Sequence, residues 1–177
     1  MAWTASSPTS RVFIQAVLNP LTASAWSTTE PTTYGGNGLS ADTINVALFN
    51  NTVSPDASAA VGSTGYNTGT WTTGNEVTDA TNWTAGGRAL ASKTFSVLTA
   101  GSQTTTAEVN FDAADLAGGG TVTISGAFGC LVYDSTITAG TVAKQGLCFN
   151  YFGGSQTVTG GSFTVIWDAT GVFKFQA

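Results

Sequence analysis

Histidine is absent from this chain and charge is scarce. Without imidazole, Ser-His and Cys-His nucleophilic pairs, His-ligated zinc and imidazole acid–base chemistry are all excluded. The two cysteines, Cys130 and Cys148, are too few for a four-thiolate metal site within one chain. Asp, Glu, Lys and Arg together make up 8% of residues, where an average soluble domain has about 25%. Five basic and ten acidic residues leave a net charge of −5. No basic patch is present to release counterions from a phosphate backbone, so nucleic acid is not an expected partner. Long apolar runs are missing too, so no membrane partner is expected: the longest, Val12 to Leu18, contains Gln15 and stops at Asn19-Pro20, well short of the roughly 20 residues of a membrane span. Arg11, that run and Ala23-Ser24-Ala25 make a poor signal peptide, short and interrupted. The expectation is a chain made in the cytoplasm. The sequons Asn50-Asn51-Thr52 and Asn82-Trp83-Thr84 then carry no glycan.

What fills the space is small, neutral and β-forming. In 177 residues (17.9 kDa) there are 31 Thr and 22 Gly. Hydrophobic residues make up 42%, with ten Phe, five Trp and four Tyr, too many for a disordered low-complexity chain. Residues 1–42 read as an N-terminal arm, a short helix and a loop. Ser10 caps that helix, Phe13/Val17 and Ile14/Leu18 repeat four apart within it, and Pro20 stops it. Residues 43–177 read as one β domain. Alternation of apolar and polar positions predicts strands over Thr43–Phe49, Arg88–Val97, Thr104–Phe111, Thr121–Ile124, Gln145–Phe152, Ser162–Trp167 and Gly171–Phe175. Ala127–Tyr133 is nearly continuous in apolar residues, as in a strand buried on both faces. The stretch Asn50–Gly74 shows no alternation and reads as a long Thr/Gly/Ser-rich loop of the kind that often carries function. The fold class expected is all-β: a single β-sandwich, jelly-roll or Ig-like.

Three groups of residues are candidates for chemistry. Cys130 and Cys148 fall on consecutive strands; a loop centred near Ala139 sets them opposite each other, in reach of a disulfide, but free buried thiols are the favoured reading for a cytoplasmic product. Glu108, Asp112 and Asp115 lie close in sequence. They read as hard oxygen ligands for calcium, as an acid–base pair of a glycoside hydrolase or, most simply, as turn and cap residues. Trp71, Trp83 and Tyr66 sit in or beside the long loop, where exposed rings stack on sugars in a carbohydrate- or receptor-binding module; Trp167 alternates with Phe163 and Val165 and reads as core. Gly118-Gly119-Gly120 precedes no helix bearing Lys and Ser or Thr and is no phosphate loop. The expected lists of catalytic, cofactor-binding and metal residues are empty, and the chain is not expected to be an enzyme.

The order of the motifs adds a family resemblance. Phe13-Ile14-Gln15-Ala16-Val17-Leu18-Asn19 precedes Ser40-Ala41-Asp42-Thr43-Ile44-Asn45-Val46-Ala47-Leu48-Phe49, then Asn75-Glu76-Val77-Thr78 and Trp83-Thr84-Ala85-Gly86-Gly87-Arg88-Ala89-Leu90. Cys130-Leu131-Val132-Tyr133-Asp134-Ser135-Thr136, a Phe152-Gly153-Gly154 turn running to Gly161, and Phe163-Thr164-Val165-Ile166-Trp167-Asp168 complete the series. From Phe13 onward this resembles a family of small structural proteins of tailed-bacteriophage virions. The loops at Thr22–Gly38 and Asn50–Gly74 are longer than in that pattern. The resemblance implies a virion component with no catalytic residues: a capsid decoration (cement) protein on the outer head surface, or a tail or fibre component. Its implied partners are the major capsid protein or other virion proteins and copies of itself, a trimer being favoured.

Overall fold

Ile44, Val46 and Leu48 alternate with Asn45, Ala47 and Phe49, and all six are packed away from solvent except Asn45, which is half-buried. A strand with apolar side chains on both faces needs a cover on each side, and that requirement organises the molecule. The computed structural model describes residues 7–8, 42–98, 108–138 and 142–176. Within them the chain is almost wholly strand and loop, with one 3₁₀ turn at Val61–Ser63. The molecule is all-β. The N-terminal helix expected over Ser10–Leu18 lies outside the described residues.

The strands are β1 (Ser7–Pro8), β2 (Ile44–Phe49), β3 (Glu76–Val77), β4 (Arg88–Ala89), β5 (Thr94–Leu98), β6 (Glu108–Asp112), β7 (Leu116–Ala117), β8 (Val122–Asp134), β9 (Gly146–Gly161), β10 (Thr164–Val165) and β11 (Phe173–Gln176). The largest sheet runs β1-β9-β8-β2, with β3 and β4 in tandem along the far edge of β2. A three-stranded sheet, β11-β6-β5, and a two-stranded one, β10-β7, complete the structure. Every pairing is antiparallel.

Several strand boundaries differ from those expected. Arg88–Val97 is two strands, because Ser92 takes a positive φ of 52° and turns the chain from the edge of β2 to the edge of β6. Thr121–Ile124 and Ala127–Tyr133 are one strand, with Gly126 (φ 71°) as a bulge inside it. Phe152-Gly153-Gly154 is a bulge as well, where a turn was expected, and β9 continues through it to Gly161. Glycine permits the positive φ of a bulge without ending the ladder, so its presence marks the bend and not the strand's end. The pairs Glu76–Val77 and Leu116–Ala117 are too short to leave a periodic signal.

One apolar face of the large sheet carries Ile44, Val46, Leu48, Val122, Ile124, Ala127, Cys130, Val132 and Cys148. It packs on Phe111, Leu116, Val165 and Val172, with Trp83 in the same cluster. The opposite face carries Ala47, Phe49, Leu131, Tyr133 and Phe149, and is covered by Val53, Tyr66 and Trp71 of the long loop.

Candidate functional site

The rings expected to meet sugar are inside. Trp71 is 3% exposed, Tyr66 6% and Trp83 0%. Trp71 meets Phe49 edge-on with ring centroids 5.1 Å apart and lies 6.0 Å from Phe149. Trp83 makes a T-shaped contact with Phe163 at 5.5 Å. Tyr66 stacks on Tyr133 at 4.7 Å, nearly parallel. None of the three offers a free face, so the stacking platform expected from composition is not formed by these residues. The reason lies in β2: Ala47 and Phe49 need a lid, and the aromatic residues of Asn50–Gly74 supply it.

The sequence motifs converge on a half-buried polar cluster beside this lid. Glu76, on β3, accepts a hydrogen bond from the Tyr66 hydroxyl at Oε2 (2.7 Å) and from the Gly86 N–H at Oε1 (2.8 Å). The Gly86 carbonyl in turn accepts from the Tyr133 hydroxyl (2.8 Å) and from Asn45 Nδ2 (3.2 Å). Gly86 and Gly87 take φ of 88° and 71°, which curls the backbone toward Glu76. A Cβ on Gly87 would lie 1.9 Å from the Val46 carbonyl oxygen, so only glycine fits against β2 there. Lys144 sits 5.1 Å from the Tyr66 ring centre. Burial raises the Glu76 carboxyl, opposed by hydrogen bonds from Tyr66, Gly86 and Gly87 and by the Lys144 charge. Burial and then the Glu76 carboxylate push the Tyr66 hydroxyl well up; Tyr133 is also raised, chiefly by burial. A general base needs a lone pair presented to substrate. Both Glu76 oxygens are already tied to the chain, so the cluster works as a clasp between the covering loop, the double-glycine turn and the sheet.

A second cluster stands at the start of β2. Asp42 and Asp134 are 3% and 1% exposed. Counting back from Ile44, Asp42 falls on the core-facing side of the strand, and Asp134 shares the face of Val132 and Cys130. They sit side by side on one face of adjacent strands, Asp134 opposite Ile44 and Asp42 two residues before it. Asp134 Oδ1 accepts the Thr136 N–H (2.8 Å), while Asp42 Oδ2 receives no donor from the chain. The backbones are tied nearby: Thr43 N–H donates to Thr136 Oγ1 (2.7 Å), and Ser135 donates to the Thr43 carbonyl through both N–H (2.9 Å) and Oγ (2.7 Å). Lys93 Nζ donates to the Asp42 carbonyl. Burial, then the charge of Asp134, push the Asp42 carboxyl up to about 6, with Lys93 pulling the other way. In the sequence, Asp42 and Asp134 stand out only by their places in the motifs. The signal was parity: each Asp occupies a position where the strand's alternation calls for an apolar side chain.

Asp112 and Asp115 hold backbone. Asp112 Oδ1 accepts the Ala113 N–H (2.8 Å), and Asp115 Oδ1 accepts the Trp167 N–H (3.0 Å), reinforced by Trp167 Nε1 on the Ala114 carbonyl (3.1 Å). Trp167 itself is partly buried against the main core. Glu108 lies in register with Leu98 and Gln176. Among the described residues no three His, Cys, Asp or Glu side chains are grouped to hold a metal ion. Asp79 does the same work as Asp112, Oδ1 receiving the N–H groups of Thr81 and Asn82 and Oδ2 that of Thr123. The cysteines are free and buried, and are not opposite each other: Cys148 pairs with Val132, and Cys130 with Asn150. A one-residue shift between Val132 and Tyr133 sets that register. Diagonal neighbours have Cα atoms about 7–8 Å apart, beyond the usual span of a disulfide.

No family model, no curated protein and no solved structure matches this chain.

Proposed function

We propose that this chain is a structural component of a tailed-bacteriophage virion, a capsid decoration protein bound to the outer surface of the head. In this reading the three sheets form a β-sandwich, the protein is not an enzyme, and copies associate with the major capsid protein and with one another, as trimers. The observation that carries the proposal is the neutral, hydroxyl-rich outer face of the β8–β9 hairpin. Thr123, Ser125, Ser155, Thr157 and Thr159 are all exposed there, and none is charged. Such a face can be buried against a neighbouring subunit without the several kcal/mol per ion that desolvating charges costs. The motif residues on which the resemblance rests fit a structural role, since Glu76, Gly86 and Tyr133 clasp the scaffold through hydrogen bonds. A protein that binds the assembled shell stabilises it by mass action.

Quantitative mass spectrometry of purified particles, with heads separated from tails, tests the reading. The expected result is a copy number in heads commensurate with the capsomers of the shell. A few copies confined to tails would move the protein to the tail or fibre, and absence from both fractions would end the virion assignment. Deleting Met1–Ser10 is expected to weaken attachment while the β domain stays folded; unchanged occupancy on heads would remove the arm from the attachment mechanism.

A further inference from the structure

We propose that Asp42 and Asp134 form a proton-operated latch where the first 41 residues join the β domain: closed while one proton is shared between the carboxyl groups, and loosened when it leaves. The inference stands on geometry and is independent of any place on a virion. Two enclosed carboxyl groups on neighbouring strands can bond to each other only through a proton between them, since neither ion can donate. Asp42 Oδ2 has no donor from the chain, and both residues are almost fully enclosed. The charged groups facing Asp42 are Asp134 from the end of β8 and Lys93 from the segment before β5. One lysine compensates one carboxylate; a second carboxylate buried beside the first is uncompensated. The parts that would open are the backbone ties between residues 42–43 and 134–136. Two carboxylates are too few for a calcium shell of six to eight oxygens.

The sign follows from linkage. The closed state holds its proton up to about pH 6, against an ordinary value of 3.8. Over that interval the closed state binds more proton than the open one. Closure is therefore strongest at low pH and weakens as pH rises through the window. Hydrogen exchange at the Thr43 and Ser135 amides, corrected for intrinsic rates, measures it on the full chain. From pH 4 to pH 7 the opening equilibrium in the natural protein is expected to rise on the order of tenfold to a hundredfold. Asp42→Asn, whose amide donates permanently to Asp134, is expected to flatten that dependence. Asp134→Asn, which keeps the acceptor for Thr136, is a second route to the same result should the first variant fold poorly. Identical pH profiles in the natural protein and a folded variant would overturn the latch. So would added calcium at pH 7.5 protecting the two amides in the natural protein but not in the variants, since a cation would then be the occupant.

Discussion

Gly87 shows how little room some residues leave for choice. With φ at 71° and the Val46 carbonyl where a Cβ would go, Gly87→Ala must push β4 away from β2. Gly126 has the same φ but open space around it. Gly126→Ala is expected to cost about 1–2 kcal/mol, the backbone penalty alone. Gly87→Ala is expected to exceed about 4 kcal/mol, in the range reserved for steric disruption of packed structure. Denaturant unfolding of the two variants side by side checks this, and equal losses would contradict the close approach. At the clasp, Tyr66→Phe removes one donor from Glu76 and leaves a half-buried carboxylate short of a partner. The expected cost is about 1–3 kcal/mol, larger at neutral than at acid pH, because removing the donor raises the carboxyl further and a raised carboxyl loses its folded-state advantage as pH climbs. Thermal unfolding at pH 4 and pH 7 measures the difference. The cysteines give a third residue-scale test. Burial pushes the Cys130 thiol up to about 12 and Cys148 well above its usual value. Maleimide labelling of either in native buffer is therefore expected to be slow and to appear only with unfolding; rapid labelling would mean that the β8–β9 ladder opens locally.

At the scale of elements, legibility depended on how much of a residue's environment came from its own strand. The two faces of β2 were readable because alternation at Ile44, Val46 and Leu48 against Ala47 and Phe49 is a property of six neighbouring residues. Burial of Ala127–Tyr133 was readable for the same reason. The covering role of Asn50–Gly74 was not. Nothing in Val53, Tyr66 or Trp71 announces that they meet Phe49, Leu131 and Phe149, because those contacts are set by topology. The clasp at Glu76 was half legible: its motif residues stood out, but the partners that explain them come from four separate segments. Glycines misled most, since Gly126 and Gly153-Gly154 bend strands that continue beyond them. The clearest element-scale prediction concerns the lid. Trp71→Ala is expected to destabilise by about 3–5 kcal/mol and to increase binding of a hydrophobic dye, as Phe49 and Phe149 lose their cover. A stable, dye-silent variant would show that the loop is not part of the core.

At the scale of the whole molecule, the described residues place nearly all of their large apolar side chains inside. Ile166, 74% exposed, is the one large hydrophobic side chain exposed among the described residues. The lid also changes where the chain tolerates alteration. Surface loops ordinarily accept insertions more readily than strands do. Here that freedom varies sharply within one connection. At Asp56–Ser58 the residues are exposed and the turn is held by its own side chains, Asp56 Oδ1 receiving both the N–H and the hydroxyl of Ser58. A few residues further on, a Cβ at Gly65 would lie 2.6 Å from Val142 Cγ1 and 2.7 Å from the Ala143 carbonyl oxygen. A displayed peptide or a fluorescent tag belongs at the first of these places; at the second it would have to displace residues 142 and 143.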